Sequence, residues 1–155
     1  MKYCPITRGD VTYIHCLDCG RDQKCRKFFC LVVGSRTFND YAYMEKTLDN
    51  LLKNQMGRVV IVSGGAKGAD SLAERYAKER GYDLEVFPAD WEKHGNSAGY
   101  IRNGEMHEYI AKMEKRGVVA FWDGESKGTA NNFELAKKYG NPIRKILFRP
   151  QRNAG

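Results

Sequence analysis

The stretch VVIVSGGAKGADSLAERYAKERG, residues 59–81, changes its hydrophobic rhythm once, and it does so across a run of glycines. Val59 to Val62 are four consecutive β-branched residues, too short a run for a helix and unbroken in the way of a strand covered on both faces. From about Ala69 to Arg80 the apolar residues Leu72, Ala73, Tyr76 and Ala77 fall on one helical face, and Gly81 stands where a helix ends in a left-handed residue. A strand that feeds a helix through a glycine loop is the repeating unit of a parallel α/β sheet.

The same unit recurs on both sides. Phe28 to Val33 reads as a strand, and Asp40 caps a helix to about Asn54 that places Met44, Leu48, Leu51 and Leu52 on one face. Leu84 to Phe87 is a strand stopped by Pro88, and a polar loop from Ala89 to Ser97 leads to a long helix over about Ala98 to Arg116. Val118 to Trp122, a helix over Thr129 to Tyr139 closed by Gly140, and Ile143 to Phe148 complete the series. The pattern predicts a Rossmann-like, doubly wound, mainly parallel five-stranded α/β sheet with helices on both faces, over residues 28–148. Residues 1–27 form a separate cysteine-rich segment, and residues 149–155 a basic tail.

At 155 residues the chain has room for one such domain, and 42% hydrophobic with 29% charged residues is the composition of a chain that buries a core. No apolar run approaches the roughly 20 residues that span a bilayer, and MKYCPITRGD is not the apolar stretch of a secretory signal. The expectation is a soluble protein of a reducing cytoplasm. The net charge of +7 sits at the ends: residues 31–140 carry sixteen basic and sixteen acidic side chains. A neutral body with basic termini argues against a nucleic-acid track across the domain.

Four of the five cysteines, Cys4, Cys16, Cys19 and Cys25, lie in the first 25 residues. Thiols in a reducing compartment point to metal rather than disulfides, and a Cys-x2-Cys pair supplies two ligands of a tetrahedral zinc from one turn. The segment holds too few apolar residues to fold by packing alone. A structural zinc on Cys4, Cys16, Cys19 and Cys25 is expected, with His15 able to replace one ligand. Cys30, inside FFCLVV, reads as a small buried hydrophobe.

In a doubly wound sheet, ligands bind beyond the carboxyl ends of the strands. The loops there are Gly34-Ser35-Arg36, Ser63-Gly64-Gly65-Ala66-Lys67-Gly68, Asp90-Trp91 with His94, and Asp123-Gly124-Glu125-Ser126-Lys127-Gly128-Thr129. Glycines admit an anion close to backbone N–H groups, and a helix opening behind them adds its positive end. One such loop is as readily a tight turn, but three on one rim favour phosphate. SGGAKG matches neither the nucleoside-triphosphatase loop nor G-x-G-x-x-G. Trp91 is suited to stacking on a base, whereas Trp122, at the end of an apolar strand, reads as core.

Taken together, GSRTFND, SGGAKGAD, ADWEKHGNSAGYIRN and FWDGESKGT, in this order over residues 28–148, resemble the YspA-type (cpYpsA-related) branch of the SLOG superfamily, named for its relatives DprA and the phosphoribohydrolase LOG. The resemblance implies a Rossmann-like sheet that binds nucleotides or nucleotide-derived ligands, in a family common in bacteriophage and bacterial conflict systems. The cysteine-rich leader is similar to that of some phage-type members. Carried over to this chain, the resemblance makes Gly34, Ser35 and Arg36 the first ligand loop and Ser63, Gly64, Gly65, Ala66, Lys67 and Gly68 a phosphate or ribose cradle. It adds the pair Arg102 and Asn103, and Asp123, Gly124, Ser126, Gly128 and Thr129 as the last motif, with Thr129 as both N-cap and phosphate contact. Asp70 reads equally as an acceptor for a ribose hydroxyl or as an acid favoured by the helix dipole, and His94 as a ligand or base or as an ordinary loop histidine.

Three functions compete: a binding protein for a nucleotide-derived small molecule, either a sensor or a phage sponge for a host defence signal; a nucleoside monophosphate phosphoribohydrolase; and a DprA-like nucleic-acid binder. Phosphoribohydrolase relatives carry Gly-Gly-x-Gly-Thr-x-x-Glu, and here Asn132 stands in place of the glutamate, with Glu134 two residues on. An amide takes no proton at neutral pH, which favours binding without cleavage and assigns no catalytic residue. Tyr41, Tyr43, Tyr100 and Tyr109, read as exposed on two helices, suggest a homo-oligomer, most simply a dimer.

Overall fold

The computed structural model of the chain describes residues 2–4, 9–11, 27–55 and 58–149. Two short strands, β1 (Lys2–Cys4) and β2 (Gly9–Val11), pair antiparallel, with Lys2 opposite Val11, an arrangement the sequence pattern did not announce. Cys16, Cys19, Cys25 and His15, the other expected zinc ligands, lie outside the described residues, as does the tail from residue 150.

The body follows as β3 (Phe28–Gly34), α1 (Tyr41–Leu52), β4 (Val59–Ser63), α2 (Ala69–Arg80), β5 (Asp83–Val86), the single turn α3 (Trp91–His94), α4 (Ala98–Ala111), β6 (Arg116–Trp122), α5 (Lys127–Tyr139) and β7 (Ile143–Leu147). The strands form one sheet in the order β5-β4-β3-β6-β7, and all four pairings are parallel. Alternate residues of β3 serve opposite faces, as period-two geometry requires. Cys30 and Val32 pack with Met44 and Leu48 of α1 and Ala73 and Tyr76 of α2. Phe29, Leu31 and Val33 pack with Met106 and Ile110 of α4 and with Phe133 of α5. The chain runs outward through β3, β4 and β5, then returns to β6 on the other side of β3. The loops after β3 and β6 therefore part at the centre of the sheet, where a doubly wound fold opens its crevice.

The element boundaries differ from the sequence reading in instructive places. The long helix ends at Ala111, not near Arg116, because Arg116 already opens β6 and its guanidinium donates to the carbonyl of Met113 at 2.9 Å and to Asn141 Oδ1 at 2.6 Å. The loop read as irregular over Ala89–Ser97 contains α3 and a 3-10 turn, Gly95–Ser97; Asp90 caps α3 by accepting the N–H of Lys93 at 3.1 Å. Thr129 is not the N-cap of α5. That helix opens two residues before it, behind Ser126, because the Asp123 carboxylate accepts the N–H groups of Glu125 and Ser126 at 2.9 and 2.8 Å and turns the chain early.

One glycine makes the crossing at the centre possible. A Cβ on Gly34 would stand 2.5 Å from the Cβ of Ala69 and 2.6 Å from the carbonyl oxygen of Phe121, so the end of β3 touches both α2 and β6. Among the described residues, no helix is long and apolar enough to cross a membrane.

Candidate functional site

Above the carboxyl ends of β3 and β6 lies a cleft of about 410 Å³, and beside it a second basin of about 350 Å³ over the end of β4. Arg36, Ala66, Trp91 and Arg102 border both. The Arg36 guanidinium lies 5.8 Å from the centre of the Trp91 ring, within the range of a cation–π contact, and together they form the ridge between the basins.

The first loop is fastened from below. Ser35 is buried; its hydroxyl accepts the N–H of Asp123 at 3.3 Å, and its carbonyl accepts the N–H groups of Phe38 and Ala69 at 3.1 and 3.3 Å. This leaves Arg36 as an exposed cation on a fixed loop. In the second loop Ser63 is fully buried and faces inward, its hydroxyl within 3.2 Å of the Asp70 carbonyl and 3.1 Å of Glu74 while it accepts the N–H of Gly65. Ser63 therefore shapes the loop and is not among the residues that line either basin, and the same holds for Gly68. Gly64, Gly65 and Lys67 line the smaller basin.

Asp70 and Arg102 form the floor. Asp70 is 6% exposed, and its Oδ2 accepts the N–H of Ala66 at 3.2 Å. Its Oδ1 has no hydrogen-bond partner among the described residues, although the side chain lines the cleft. Burial pushes its carboxyl up to about 6, against the opposing charge of Arg102. Arg102, 8% exposed, donates through Nε to Asn103 Oδ1 at 2.9 Å and through Nη1 to the carbonyl of Gly64. A buried carboxylate with one free oxygen beside a buried guanidinium offers a ligand one acceptor and one cation in a place that water hardly reaches.

The far wall is the start of α5, where Ser126, Gly128 and Thr129 line the cleft. For Asp123, burial raises the carboxyl, but the N–H groups of Ser126 and Glu125 outweigh it and hold the group below the usual carboxylate range. Asp123 stays ionised at neutral pH and serves the turn. Of the other sequence candidates, Trp91 is 50% exposed at the rim, while His94 and Gly124 lie outside the lining of both basins. Trp122 packs edge-on against Phe133 and donates Nε1–H to the carbonyl of Ser126, in keeping with a structural role. Asn96 and Tyr100, which stand within ADWEKHGNSAGYIRN but were not among the expected ligand residues, also line the cleft. Asn96 arrives with the 3-10 turn Gly95–Ser97, which the pattern did not show, and Tyr100 with the first turn of α4. Asn132 lines it too, 2% exposed, whereas Glu134 is exposed and lies outside the lining.

The family model for the YspA, cpYpsA-related SLOG family matches residues 30–94. The Gene 61 protein of Mycobacterium phage D29 is 36% identical over 118 residues, covering 73% of this chain and 91% of that protein. In structure the chain is similar to DNA processing protein A from Streptococcus pneumoniae, with a TM-score of 0.54 and 20% identity over 84% of this chain, and it spans 53% of the length of that protein. DNA processing protein A from Helicobacter pylori gives a TM-score of 0.53 and 21% identity, over 86% of this chain and 71% of that one. At these identities the two structures speak for the fold.

Proposed function

We propose, from the premise that this chain belongs to the YspA, cpYpsA-related SLOG family, that its cleft binds a nucleotide or nucleotide-derived small molecule without cleaving it, as a sensor or as a sponge that withdraws a signal. The observation that carries this reading is the floor: Asp70, with one oxygen unpartnered among the described residues, and Arg102, both buried and lining the same cleft as the start of α5. A ribose hydroxyl is the donor that suits Asp70, and phosphate is the anion that suits Arg36, Arg102 and the first N–H groups of α5. Trp91 at the rim suits a base. Asn132 where the hydrolases have glutamate supports binding over hydrolysis. The test is mass spectrometry of small molecules released when the purified protein is heated, followed by incubation with ADP-ribose and nucleoside monophosphates. A retained nucleotide and no free base support the proposal; catalytic release of base refutes it.

Nucleic-acid binding is the second reading, because the solved relative from Helicobacter pylori is described by its single-stranded DNA binding mode. Against it stands the balance of sixteen basic and sixteen acidic residues over 31–140. A steep fall of DNA affinity with salt would favour it.

Asp70 gives a pH-dependent prediction. Its folded pKa of about 6 is above the ordinary 3.8, so the folded state holds the proton more tightly, and stability falls as pH rises from about 4 through about 6. Asp70→Asn is expected to raise the melting temperature at pH 7.5 by roughly 2–8 °C, from about 1–2 kcal/mol, and to flatten that fall. The same variant should bind ADP-ribose at least about tenfold more weakly, because it loses the ionised acceptor. Calorimetric melting and titration at pH 5, 6 and 7.5 check both; a variant no more stable than the parent at pH 7.5 contradicts the assignment.

We also propose that Cys4, Cys16, Cys19 and Cys25 hold one structural zinc. Cys30 is 1% exposed in the core, and burial pushes its thiol up to about 12, so it is no thiolate ligand. Elemental analysis should give one zinc per chain in both the parent and Cys30→Ala; loss of metal in Cys30→Ala refutes this ligand set. A dimer remains our proposal on a narrower basis than the tyrosine pattern suggested. Tyr41 stacks under Arg75 and hydrogen-bonds Glu79, and Tyr109 packs against Phe29 and Phe87, which leaves Tyr43 and Tyr100 exposed at 38% and 49%.

A further inference from the structure

His107 is fully buried on α4, and no loop motif contains it. Its two ring nitrogens meet two asparagines: Nδ1 lies 3.1 Å from Asn141 Nδ2, and Nε2 lies 3.0 Å from Asn132 Oδ1. The direction of every bond in this chain is fixed from both ends. At one end the Nε–H of Arg116, which only donates, meets Asn141 Oδ1 at 2.6 Å, and the Nδ2 of Asn141 also donates to the carbonyl of His107 at 3.1 Å. Asn141 therefore presents N–H to Nδ1, and the ring proton must sit on Nε2. At the other end the carbonyl of Gly128, which only accepts, lies 3.2 Å from Asn132 Nδ2. Asn132 therefore turns its oxygen to His107, and again the proton must sit on Nε2. Burial pushes the imidazole down to about 4, which keeps it neutral and leaves one tautomer.

The consequence falls on the cleft. Asn132 lines it, and its Nδ2 carries a second hydrogen with no acceptor among the described residues. A buried N–H without a protein partner is costly, so this hydrogen is available to an acceptor oxygen in the cleft, from water or from a ligand. The Gly128 carbonyl also receives Asn103 Nδ2 at 3.4 Å, and this double hold fixes the first turn of α5 beside Arg102.

We propose that His107 is a positioning residue: through its Nε2 proton it locks Asn132 as a hydrogen-bond donor to an acceptor oxygen of the ligand, most simply a phosphoryl oxygen seated at the start of α5. The assignment of that oxygen rests on the nucleotide reading above; the relay itself does not. Nitrogen NMR of the imidazole in the full-length protein at about pH 7 should show a neutral ring protonated at Nε2, and an Nδ1-protonated or charged ring overturns the relay whatever the ligand. Two variants then separate positioning from packing. His107→Gln places an amide N–H near Nε2 and keeps the bond to Asn132, whereas His107→Asn reaches only the Nδ1 position and leaves Asn132 free to turn. With ADP-ribose as probe, His107→Gln should bind within about threefold of the parent and His107→Asn at least about tenfold more weakly, with similar melting temperatures. Equal affinities in the two variants overturn the positioning role. Failure of the parent to bind ADP-ribose with the Nε2 proton in place overturns the assignment of the ligand oxygen and leaves the relay standing.

Discussion

Gly68→Ala is expected to lower the melting temperature by about 6–12 °C, corresponding to about 3 kcal/mol in a domain of this size. Two costs add. Gly68 is at φ +78°, ψ −125°, a conformation that residues with a Cβ rarely adopt. The added Cβ would also stand 2.5 Å from the carbonyl oxygen of Ser35 and 2.6 Å from the backbone of Arg36. Neither contact is the flexible end of a side chain, and Ser35 is pinned by Asp123, Phe38 and Ala69, so the loop cannot simply step aside. Because the pressure falls on Ser35 and Arg36, ligand binding should weaken together with stability, although Gly68 itself lines neither basin. Thermal unfolding checks the first effect; a shift below about 2 °C would mean that the loop is more compliant than its hydrogen bonds indicate.

Arg102→Ala should be the most damaging single change to binding, weakening it by roughly 100-fold or more, from about 3 kcal/mol. It removes a buried charge from the floor of the cleft and orphans two acceptors, the Gly64 carbonyl and Asn103 Oδ1. The variant should therefore also lose about 1–3 kcal/mol of stability, since an unpaired buried acceptor bears its full desolvation cost. Arg36 gives the clean contrast: it is exposed and, among the described residues, held only by its contact with Trp91, so Arg36→Ala should weaken binding by about 10- to 30-fold and leave the melting temperature of the ligand-free protein unchanged. Titration calorimetry of both variants beside their melting curves checks the pair.

How much of this was legible beforehand depended on whether the signal was local. The strands Phe28–Gly34 and Val59–Ser63 were legible because both faces of the sheet are covered and their apolar runs are unbroken. Gly81 and Gly140 announced their helix ends through the left-handed conformation they adopt. Arg36 could be named from its place in a loop beyond a strand end, whereas Asp70, Arg102 and Asn103 were named through the resemblance to the SLOG family. Ser63 and Gly68 share that motif yet support the loop from behind, a distinction that depends on which way a residue faces. His94 was displaced from the lining by the turns of α3 and Gly95–Ser97. His107 could not be found from its neighbours in sequence, because its partners Asn132 and Asn141 lie 25 and 34 residues away and meet it only once α4 and α5 pack. The true N-cap of α5 was hidden in the same way, since Asp123 redirects the chain through two backbone hydrogen bonds.

We propose that one cleft, floored by Asp70 and Arg102 and flanked by Arg36, holds a nucleotide-derived ligand. The most direct test is a calorimetric titration of the full-length protein and of Arg36→Ala with a panel of purine and pyrimidine mononucleotides, dinucleotides and ADP-ribose at about pH 7.5. At least one member should bind with one site per chain, and Arg36→Ala should weaken that binding by about 10-fold or more at an unchanged stoichiometry. Binding of no member below about 1 mM, or an identical dissociation constant in Arg36→Ala, would contradict it.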